Sequence, residues 1–424
     1  MFKKLFKIFG PIIFALLIIF LLLISPFNYG LKKVSNDNQK KAAVSLDNKI
    51  IKDKRIKEQA LGQSNYVAFF GSSEWSRFDP MHPAVLAEKY NRNYRPFLLG
   101  AKGTQSLIHF LNLQTITNNL KNKKAVYSIS PQWFVPKGIR KDAFNFYYSP
   151  LEATEWLLNE SQTPMDQYIA KRFSQLLDPN SDHVLHQTFT RIENGKRPTK
   201  FQLLYIKMRH QLLLNEDRLF SAIYISNRNE KKVKEFTKQL PPTYDYNKIY
   251  DLAGELGKQN TSNNRFGISD KFYRKQIARK VKRFKGFQAK EKFTKSPEYA
   301  DFQAVLETFA KNNTDVIFVL PPVNQQWQKY TGLSQQEIQN AVTKIKFQLK
   351  SQGFNHIVDL SNDGDIPFFM TDTIHLGWRG WLYFDSAVRP FLENHHRPPH
   401  YQLNDHFYDR KWQQAKVDQI VNFK

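Results

Sequence analysis

Short apolar runs that end at glycine, serine or proline recur along the chain and predict β-strands. The best candidates are residues 66–70, 95–99, 125–129, 315–320 and 356–360, with helical stretches between them. Continuous apolar runs of this length are typical of strands buried on both faces of a parallel sheet. The predicted fold class is therefore α/β, with a doubly wound, mostly parallel sheet. Such sheets bind ligands beyond the carboxyl ends of their strands.

Residues 137–297 do not follow this alternation of strands and helices. The segment is rich in charged and aromatic residues, contains helical stretches such as 202–214, and carries a basic run at 275–285. We predict a mostly helical insertion between the third and fourth strands, either a cap over the site or a docking surface. The basic run either binds phosphates or forms the solvated face of a helix.

The N-terminus predicts a membrane anchor. Residues 8–24 contain no charge and follow Lys3, Lys4 and Lys7, and the run to residue 27 is about long enough to cross a bilayer. A cleavable signal peptide is the competing interpretation, but its apolar part would be shorter and would end in small residues. The predicted organisation is a cytoplasmic N-terminus (1–7), a single transmembrane helix (8–27), a polar stalk (28–64) and an extracellular catalytic domain (65–424).

Composition and charge reduce the number of possible functions and partners. The chain has no cysteine, which excludes a cysteine nucleophile, a thiolate metal site and disulfides. Its 63 basic and 38 acidic residues give a net charge of +25, which attracts polyanions. For an exported domain we expect anionic lipid or a phosphate-rich surface polymer rather than nucleic acid, unless the lysines only maintain solubility.

A serine directly after the first predicted strand is the best candidate nucleophile. Gly71-Ser72-Ser73-Glu74 follows the apolar run, and a helix is expected to begin near Glu74. A tight strand-to-helix turn exposes a hydroxyl and points free amides towards it. Gly-x-Ser alone is a weak signal, because three other segments match it. Ser72 is the rival to Ser73, and either serine would also serve as a helix cap.

An Asp-x-x-His motif lies far downstream of that serine. Asp372 and His375 follow the last predicted strand, in a loop that leads to an aromatic helix. We predict that His375 is the general base for Ser73 and that Asp372 orients the imidazole. A second copy, Asp79 and His82, lies close to the serine in sequence. The competing interpretation is an Asp–His pair that only caps the last helix.

Candidate oxyanion donors follow successive strands. Besides the Ser73 amide, Gly100 and Gly103 follow the second strand and Gln132 follows the third. Backbone amides at these strand ends can converge on one developing charge. No histidine–carboxylate cluster has metal-ligand spacing, and no nucleotide-binding glycine pattern occurs. The sequence therefore predicts neither a metal nor a cofactor.

Together these motifs resemble the SGNH (GDSL-type) hydrolase and acyltransferase superfamily. The likeness rests on Gly-x-Ser after the first strand, glycine after the second, an amide-bearing residue after the third, and the late Asp-x-x-His. Two positions depart from that pattern. Ser72 stands where aspartate is usual, and Gln132 stands where asparagine is usual, which leaves the oxyanion donors open.

A closer resemblance is to the DltD family of Gram-positive bacteria. It is carried by residues 70–74 (FGSSE), 130–134 (SPQWF) and 372–378 (DTIHLGW), together with the N-terminal anchor. The resemblance implies transfer of D-alanyl groups to teichoic acids, with a transient ester on Ser73. It also implies lipoteichoic acid, a D-alanyl carrier protein and a membrane-bound O-acyltransferase as partners. A surface esterase or thioesterase that uses water and a non-catalytic teichoic-acid-binding scaffold remain alternatives.

Overall fold

A five-stranded parallel sheet forms the centre of the computed structural model, which describes residues 2–25, 33–63 and 65–423. The strands run β2-β1-β3-β4-β5 across the sheet. They are β1 Tyr66–Phe70, β2 Arg95–Leu99, β3 Lys124–Ser128, β4 Asp315–Leu320 and β5 Ile357–Asp359. The predicted α/β class and parallel sheet are confirmed. β3 begins one residue earlier than predicted, and β5 is shorter by one residue at each end.

Helices connect and cover these strands. They are α1 Phe2–Ile24, α2 Asn36–Ser45, α3 Asn48–Lys52, α4 Arg55–Gly62, α5 Pro83–Lys89, α6 Ser106–Gln114, α7 Thr117–Leu120, α8 Lys141–Tyr147, α9 Pro150–Asn159, α10 Pro164–Leu176, α11 His183–Glu193, α12 Lys200–Phe220, α13 Arg228–Thr237, α14 Tyr246–Asn260, α15 Asp270–Phe272, α16 Glu298–Lys311, α17 Gln325–Thr331, α18 Gln335–Lys350, α19 Trp378–Glu393 and α20 Arg410–Gln414. Short 3₁₀ turns cover Ser73–Ser76, Pro131–Trp133, Ala278–Phe284, Asp363–Asp365, Asp405–Tyr408 and Val417–Phe423, and a π-helical turn covers Tyr273–Ile277.

The sheet separates two hydrophobic cores. Successive side chains of a strand point to opposite faces, so Phe70 and Tyr127 lie in one core while Phe69 and Val126 lie in the other. All four side chains are fully buried. Burial on both faces explains why the strands appear in the sequence as continuous apolar runs rather than as alternating ones.

The described part of the predicted polar stalk, residues 33–63, packs against the sheet. It forms α2 to α4, and Ala42, Ile56 and Ala60 lie in the same core as one face of the sheet. The Lys57 ammonium is fully buried and donates to Glu152 Oε1 of α9 at 2.6 Å and to the Ile51 carbonyl at 2.8 Å. These contacts hold the α4 helix of this segment against α9. Residues 28–32 and 64 lie outside the described residues.

The N-terminal helix α1 covers most of the predicted anchor, residues 8–27. Of the helices in the described ranges, none combines the length and the apolar character needed to cross a membrane. Residues 26 and 27 lie outside the described ranges. The anchor therefore stays a prediction from the sequence.

The chain between β3 and β4 is helical in the structure. Helices α8 to α15 follow β3, and α16 then returns the chain to β4 with Phe302 and Phe309 in the sheet core. The predicted helical stretch 202–214 is the centre of the longer helix α12, which begins at a Thr199–Gln202 capping box. The division of the chain into domains stays a prediction.

We predict that breaking the buried pair strongly destabilises the protein. Glu152→Leu leaves the Lys57 ammonium buried without its carboxylate, so the free energy of unfolding falls by about 3–5 kcal/mol. Replacing both residues, as in Lys57→Met with Glu152→Leu, restores much of that loss. Urea unfolding followed by circular dichroism measures the change.

Lys292→Ala is the control, because this 60% exposed side chain forms a surface pair with Glu337. Its expected effect is at most about 1 kcal/mol. An equally small effect of Glu152→Leu would show that the contact with α9 contributes little to stability.

Candidate active site

Ser73 lies where the order of the strands reverses. β1 pairs with both β2 and β3, and Ser73 follows the carboxyl end of β1. In doubly wound sheets, ligands bind at this point of reversal. The expected helix at Glu74 is instead a single 3₁₀ turn, and α5 begins only at Pro83. Ser73 therefore does not benefit from the dipole of a long helix.

His375 and Asp372 lie in a loop that is closed by backbone contacts. An antiparallel bridge joins Met370 to Leu376, and the Thr371 N–H donates to the His375 carbonyl at 2.9 Å. Gly377 allows this closure, because a Cβ there would lie 2.6 Å from the Thr371 nitrogen. The loop thus holds the Asp-x-x-His side chains in one orientation.

The structure brings Ser73, His375 and Asp372 into one hydrogen-bonded chain. Ser73 Oγ lies 2.7 Å from His375 Nε2, although 302 positions separate the two residues. His375 Nδ1 lies 2.8 Å from both carboxylate oxygens of Asp372. Asp372 is 1% exposed, whereas Ser73 is only half-buried. A hydroxyl, an imidazole and a carboxylate in this order can activate the hydroxyl as a nucleophile.

Arg77 is a further residue of the site that the sequence analysis missed. Its Nε lies 2.9 Å from Asp372 Oδ2 and 3.3 Å from His375 Nδ1. When Nδ1 carries a proton, Nε–H and Nδ1–H are both donors, so both point to the carboxylate. The Trp381 indole donates to the Arg77 carbonyl at 3.0 Å, and the Phe272 ring lies 5.7 Å from the guanidinium. Arg77 lies four residues after Ser73, and no sequence motif marks it as a site residue.

The Asp372 carboxylate is stabilised as an anion. Burial is the largest single influence and alone would raise its pKa, but the charge and hydrogen bond of His375, the charge of Arg77 and the hydrogen bond from the Ile374 amide together outweigh burial. The net result is a pKa below the ordinary 3.8. Asp372 therefore stays ionised at neutral pH and fixes the imidazole with Nδ1 protonated and Nε2 facing Ser73.

An open cleft of about 290 Å³ surrounds the Ser73 hydroxyl. Its walls come from the loops that follow β1, β2, β3 and β4 and from the Asp-x-x-His loop. Burial raises the pKa of Glu74, which lines the cleft, against the hydrogen bond from the Ser72 amide. The lining residues are Ser72, Ser73, Glu74, Gly103, Thr104, Gln105, Ser128, Ser130, Gln132, Trp133, Pro321, Ile374, His375 and Leu376.

The three predicted oxyanion residues take different positions. Gly103 and Gln132 line the cleft, and the Gln132 backbone N–H also donates to Ser130 Oγ at 3.3 Å. Gly100 is not among the residues that line it. A Cβ at Gly100 would lie 2.0 Å from the Gly71 carbonyl oxygen, so glycine is needed there for close backbone approach.

Both rival motifs have structural partners elsewhere. Ser72 is buried, and its hydroxyl donates to the Ala101 carbonyl at 3.1 Å. His82 Nδ1 accepts from the Ala84 N–H at 3.2 Å and so caps α5, while Asp79 accepts from the Met81 N–H at 2.8 Å. Burial lowers the pKa of His82 to about 3. The second Asp-x-x-His motif therefore shapes the start of α5.

Comparison with known proteins identifies the family. Residues 43–393 match the family model described as "DltD protein". The "Protein DltD" of Lacticaseibacillus rhamnosus is 44% identical over 419 residues, which cover 98% of each chain. The chain belongs to the DltD family. The "Protein DltD" of Bacillus subtilis (strain 168) is 30% identical over 91% of this chain and 97% of its own, and that of Staphylococcus aureus is 28% identical over 92% and 97%.

The stretch matched to the DltD family includes the whole candidate site. Residues 43–393 contain Ser73, Arg77, Asp372 and His375 and also residues 43–64 of the segment that was predicted as a stalk. The resemblance to this family that was predicted from three short motifs is thereby confirmed over most of the chain.

We predict that Arg77→Met makes Ser73 less reactive, most strongly in acid. Without the Arg77 charge, Asp372 takes up a proton at a higher pH. As the pH falls, the variant should therefore lose Ser73 reactivity at a higher pH than the wild type does. At neutral pH the rate falls by at least about tenfold, because a hydrogen bond to a charged group contributes roughly 1.5–3 kcal/mol. The rate of labelling by a fluorophosphonate probe, measured against pH, tests both effects.

Arg77→Lys is the matched variant, since it keeps the positive charge and is expected to restore most of the pH profile. Unchanged rates and an unchanged profile in Arg77→Met would show that Arg77 acts only as a packing residue.

Proposed function

We propose that this DltD-family protein is an acyltransferase that moves D-alanyl groups onto teichoic acid, in particular lipoteichoic acid, through an ester on Ser73. The observation that carries the proposal is the chain Ser73–His375–Asp372, at 2.7 and 2.8 Å, opening into a solvent-accessible cleft. Family membership supports D-alanyl as the acyl group. The three residues would act as a catalytic triad.

In the first half-reaction, Ser73 Oγ attacks the carbonyl carbon of a D-alanyl ester or thioester. His375 Nε2 takes the hydroxyl proton, and the carbonyl oxygen becomes an oxyanion in a tetrahedral intermediate. When the intermediate collapses, the bond to the donor's oxygen or sulfur breaks. The leaving group receives the proton from His375, and Ser73 carries the D-alanyl ester.

In the second half-reaction, a hydroxyl of the polymer attacks the ester carbonyl. His375 takes the proton of that hydroxyl and returns it to Ser73 Oγ as the serine ester bond breaks. We propose that the Ser73 amide, Gly103 and Gln132 stabilise the oxyanion in both halves, since Gly103 and Gln132 line the same cleft. Water in place of the polymer would make the protein an esterase.

The acceptor proposal rests on charge near the site. Residues 271–285, the basic stretch, contain the exposed cations Lys271, Arg274, Lys275, Arg279, Lys280, Lys282, Arg283 and Lys285. Phe272, within the same stretch, contacts Arg77 beside Asp372. Such a charge density attracts a polyphosphate chain over roughly a Debye length, about 10 Å at 0.1 M salt. A polymer bound there would reach the cleft.

We further propose that residues 8–27 attach the protein to the cell membrane and that the domain lies outside the cell. This placement would bring Ser73 close to a membrane-bound O-acyltransferase as donor, which in turn would receive D-alanine from a carrier protein. The support is the uncharged run at 8–24 that follows Lys3, Lys4 and Lys7.

The central test follows D-alanine onto Ser73. The purified protein is incubated with a D-alanyl thioester and weighed intact by mass spectrometry, with and without lipoteichoic acid. We expect one D-alanyl adduct on the wild type and none on Ser73→Ala. When lipoteichoic acid is added, the adduct should disappear from the protein and the polymer should gain D-alanine.

Ser72→Ala is the control, because that hydroxyl points to the Ala101 carbonyl rather than to His375. It is expected to keep the adduct. Hydrolysis at a rate that the polymer does not change would identify an esterase instead. D-alanylation in cells that survives Ser73→Ala would identify a scaffold and contradict the mechanism.

A second prediction concerns the basic stretch. Replacing Arg274, Lys275, Arg279 and Lys280 by glutamine weakens binding to lipoteichoic acid by roughly tenfold at low ionic strength, and the difference shrinks as salt is added. Titration of fluorescent polymer measures the affinity. The fluorophosphonate labelling of Ser73 should not change.

The four exposed cations Lys196, Arg197, Lys200 and Lys207 lie outside the cleft lining and serve as the charge-matched comparison. Equal weakening after their replacement by glutamine would mean that net charge, rather than the basic stretch, governs polymer binding.

A further inference from the structure

A second cluster of ionisable side chains lies at the amino ends of the strands, away from the Ser73 cleft. Asp315 is the first residue of β4, His356 immediately precedes β5, and His396 follows α19. One potential ligand atom from each residue lies within 4.8 Å of the other two. The three positions are far apart in sequence, which is why spacing alone predicted no metal site.

Hydrogen bonding prepares one histidine of the cluster for metal binding. His396 Nε2 lies 2.8 Å from the Phe391 carbonyl oxygen and donates its proton to it. In the neutral imidazole, Nδ1 then carries the free lone pair. Metal-binding histidines usually donate their other ring N–H to a carbonyl or carboxylate in this way.

The other two residues face each other. His356 Nε2 lies 3.5 Å from Asp315 Oδ1, and the centres of the two imidazole rings are 5.0 Å apart. Asp315 is buried, while both histidines are partly exposed. An ion at this place would therefore keep an approach from solvent and room for water as a further ligand.

Lys124 of β3 lies opposite Asp315 of β4 in the sheet. The Lys124 ammonium is held by the carbonyls of Phe391 and Leu392 at 2.8 and 3.2 Å and by that of Asn394. It is thus bound at the end of α19, beside the carboxylate.

We propose that Asp315, His356 and His396 bind a divalent transition metal ion, with Zn²⁺ as the best match. Two imidazoles and one carboxylate suit Zn²⁺, whereas Mg²⁺ and Ca²⁺ prefer all-oxygen sites. The bound ion would fasten the segment after α19 to the first residues of β4 and β5. His396 lies three positions beyond the stretch matched to the family, 43–393. The site does not depend on the proposed acyl transfer.

The test is a titration of metal-free protein with Zn²⁺, with Mg²⁺ as comparison. We expect one tightly bound Zn²⁺ per chain by elemental analysis and a rise in the thermal unfolding midpoint that Mg²⁺ does not produce. Co²⁺ in place of Zn²⁺ should give visible absorption bands of a nitrogen- and oxygen-ligated ion.

His356→Gln, His396→Gln and Asp315→Asn should each weaken binding by at least about tenfold. His395→Gln is the matched control, because this neighbouring histidine is exposed and lies outside the cluster. Circular dichroism and labelling of Ser73 show that each variant is folded.

Two results would overturn the proposal. The first is the absence of saturable Zn²⁺ binding and of Co²⁺ bands in the wild type, a measurement that does not depend on any variant. The second is an equal affinity in His356→Gln, His396→Gln and His395→Gln, which would place the ion elsewhere.

Discussion

The buried carboxylate of Asp372 is the constraint on which the candidate site depends. A charge that is 1% exposed is stable only when donors surround it. Asp372 receives the imidazole N–H of His375, the guanidinium of Arg77 and the backbone amides of Ile374 and His375. These donors come from the loop after β1 and from the loop before α19. Satisfying one buried charge therefore joins the two parts of the candidate site.

The parallel sheet brings these two loops close together. Because all five strands are parallel, the loops after β1, β2, β3 and β4 emerge at one edge, and the reversal of strand order at β1 leaves a gap there. The stacked indoles of Trp75 and Trp381 then join the turn after β1 to α19, and the Trp381 indole also holds the Arg77 carbonyl. The Ser73 turn is thus fixed by packing on α19 rather than by a helix of its own.

Sequence reasoning succeeded for the sheet, because strands buried on both faces must be apolar throughout. The roles of Asp372 and His375 stay a prediction from the Asp-x-x-His motif, although the structure places His375 beside Ser73. The place of Arg77 in the site could not be predicted, because it depends on the contact with Asp372, almost three hundred positions away in the sequence. The segment 33–63 was predicted as part of a stalk because it is polar and rich in lysine. The burial of Lys57 depends on Glu152 of α9, which lies 95 positions away in the sequence. The same holds for the cluster of Asp315, His356 and His396. Its residues come together only when β4 and β5 pair in the folded sheet.

The open cleft bears on the choice between transfer and hydrolysis. Ser73 is half-buried, so water can reach an ester formed there. If the protein is a transferase, exclusion of water does not explain its selectivity, and the acceptor must instead be concentrated and aligned. The basic stretch at 271–285, which begins beside the Phe272–Arg77 contact, offers the first of these effects. Its cations would hold many phosphates of one chain at once, and the polymer's hydroxyls would then compete with water through local concentration.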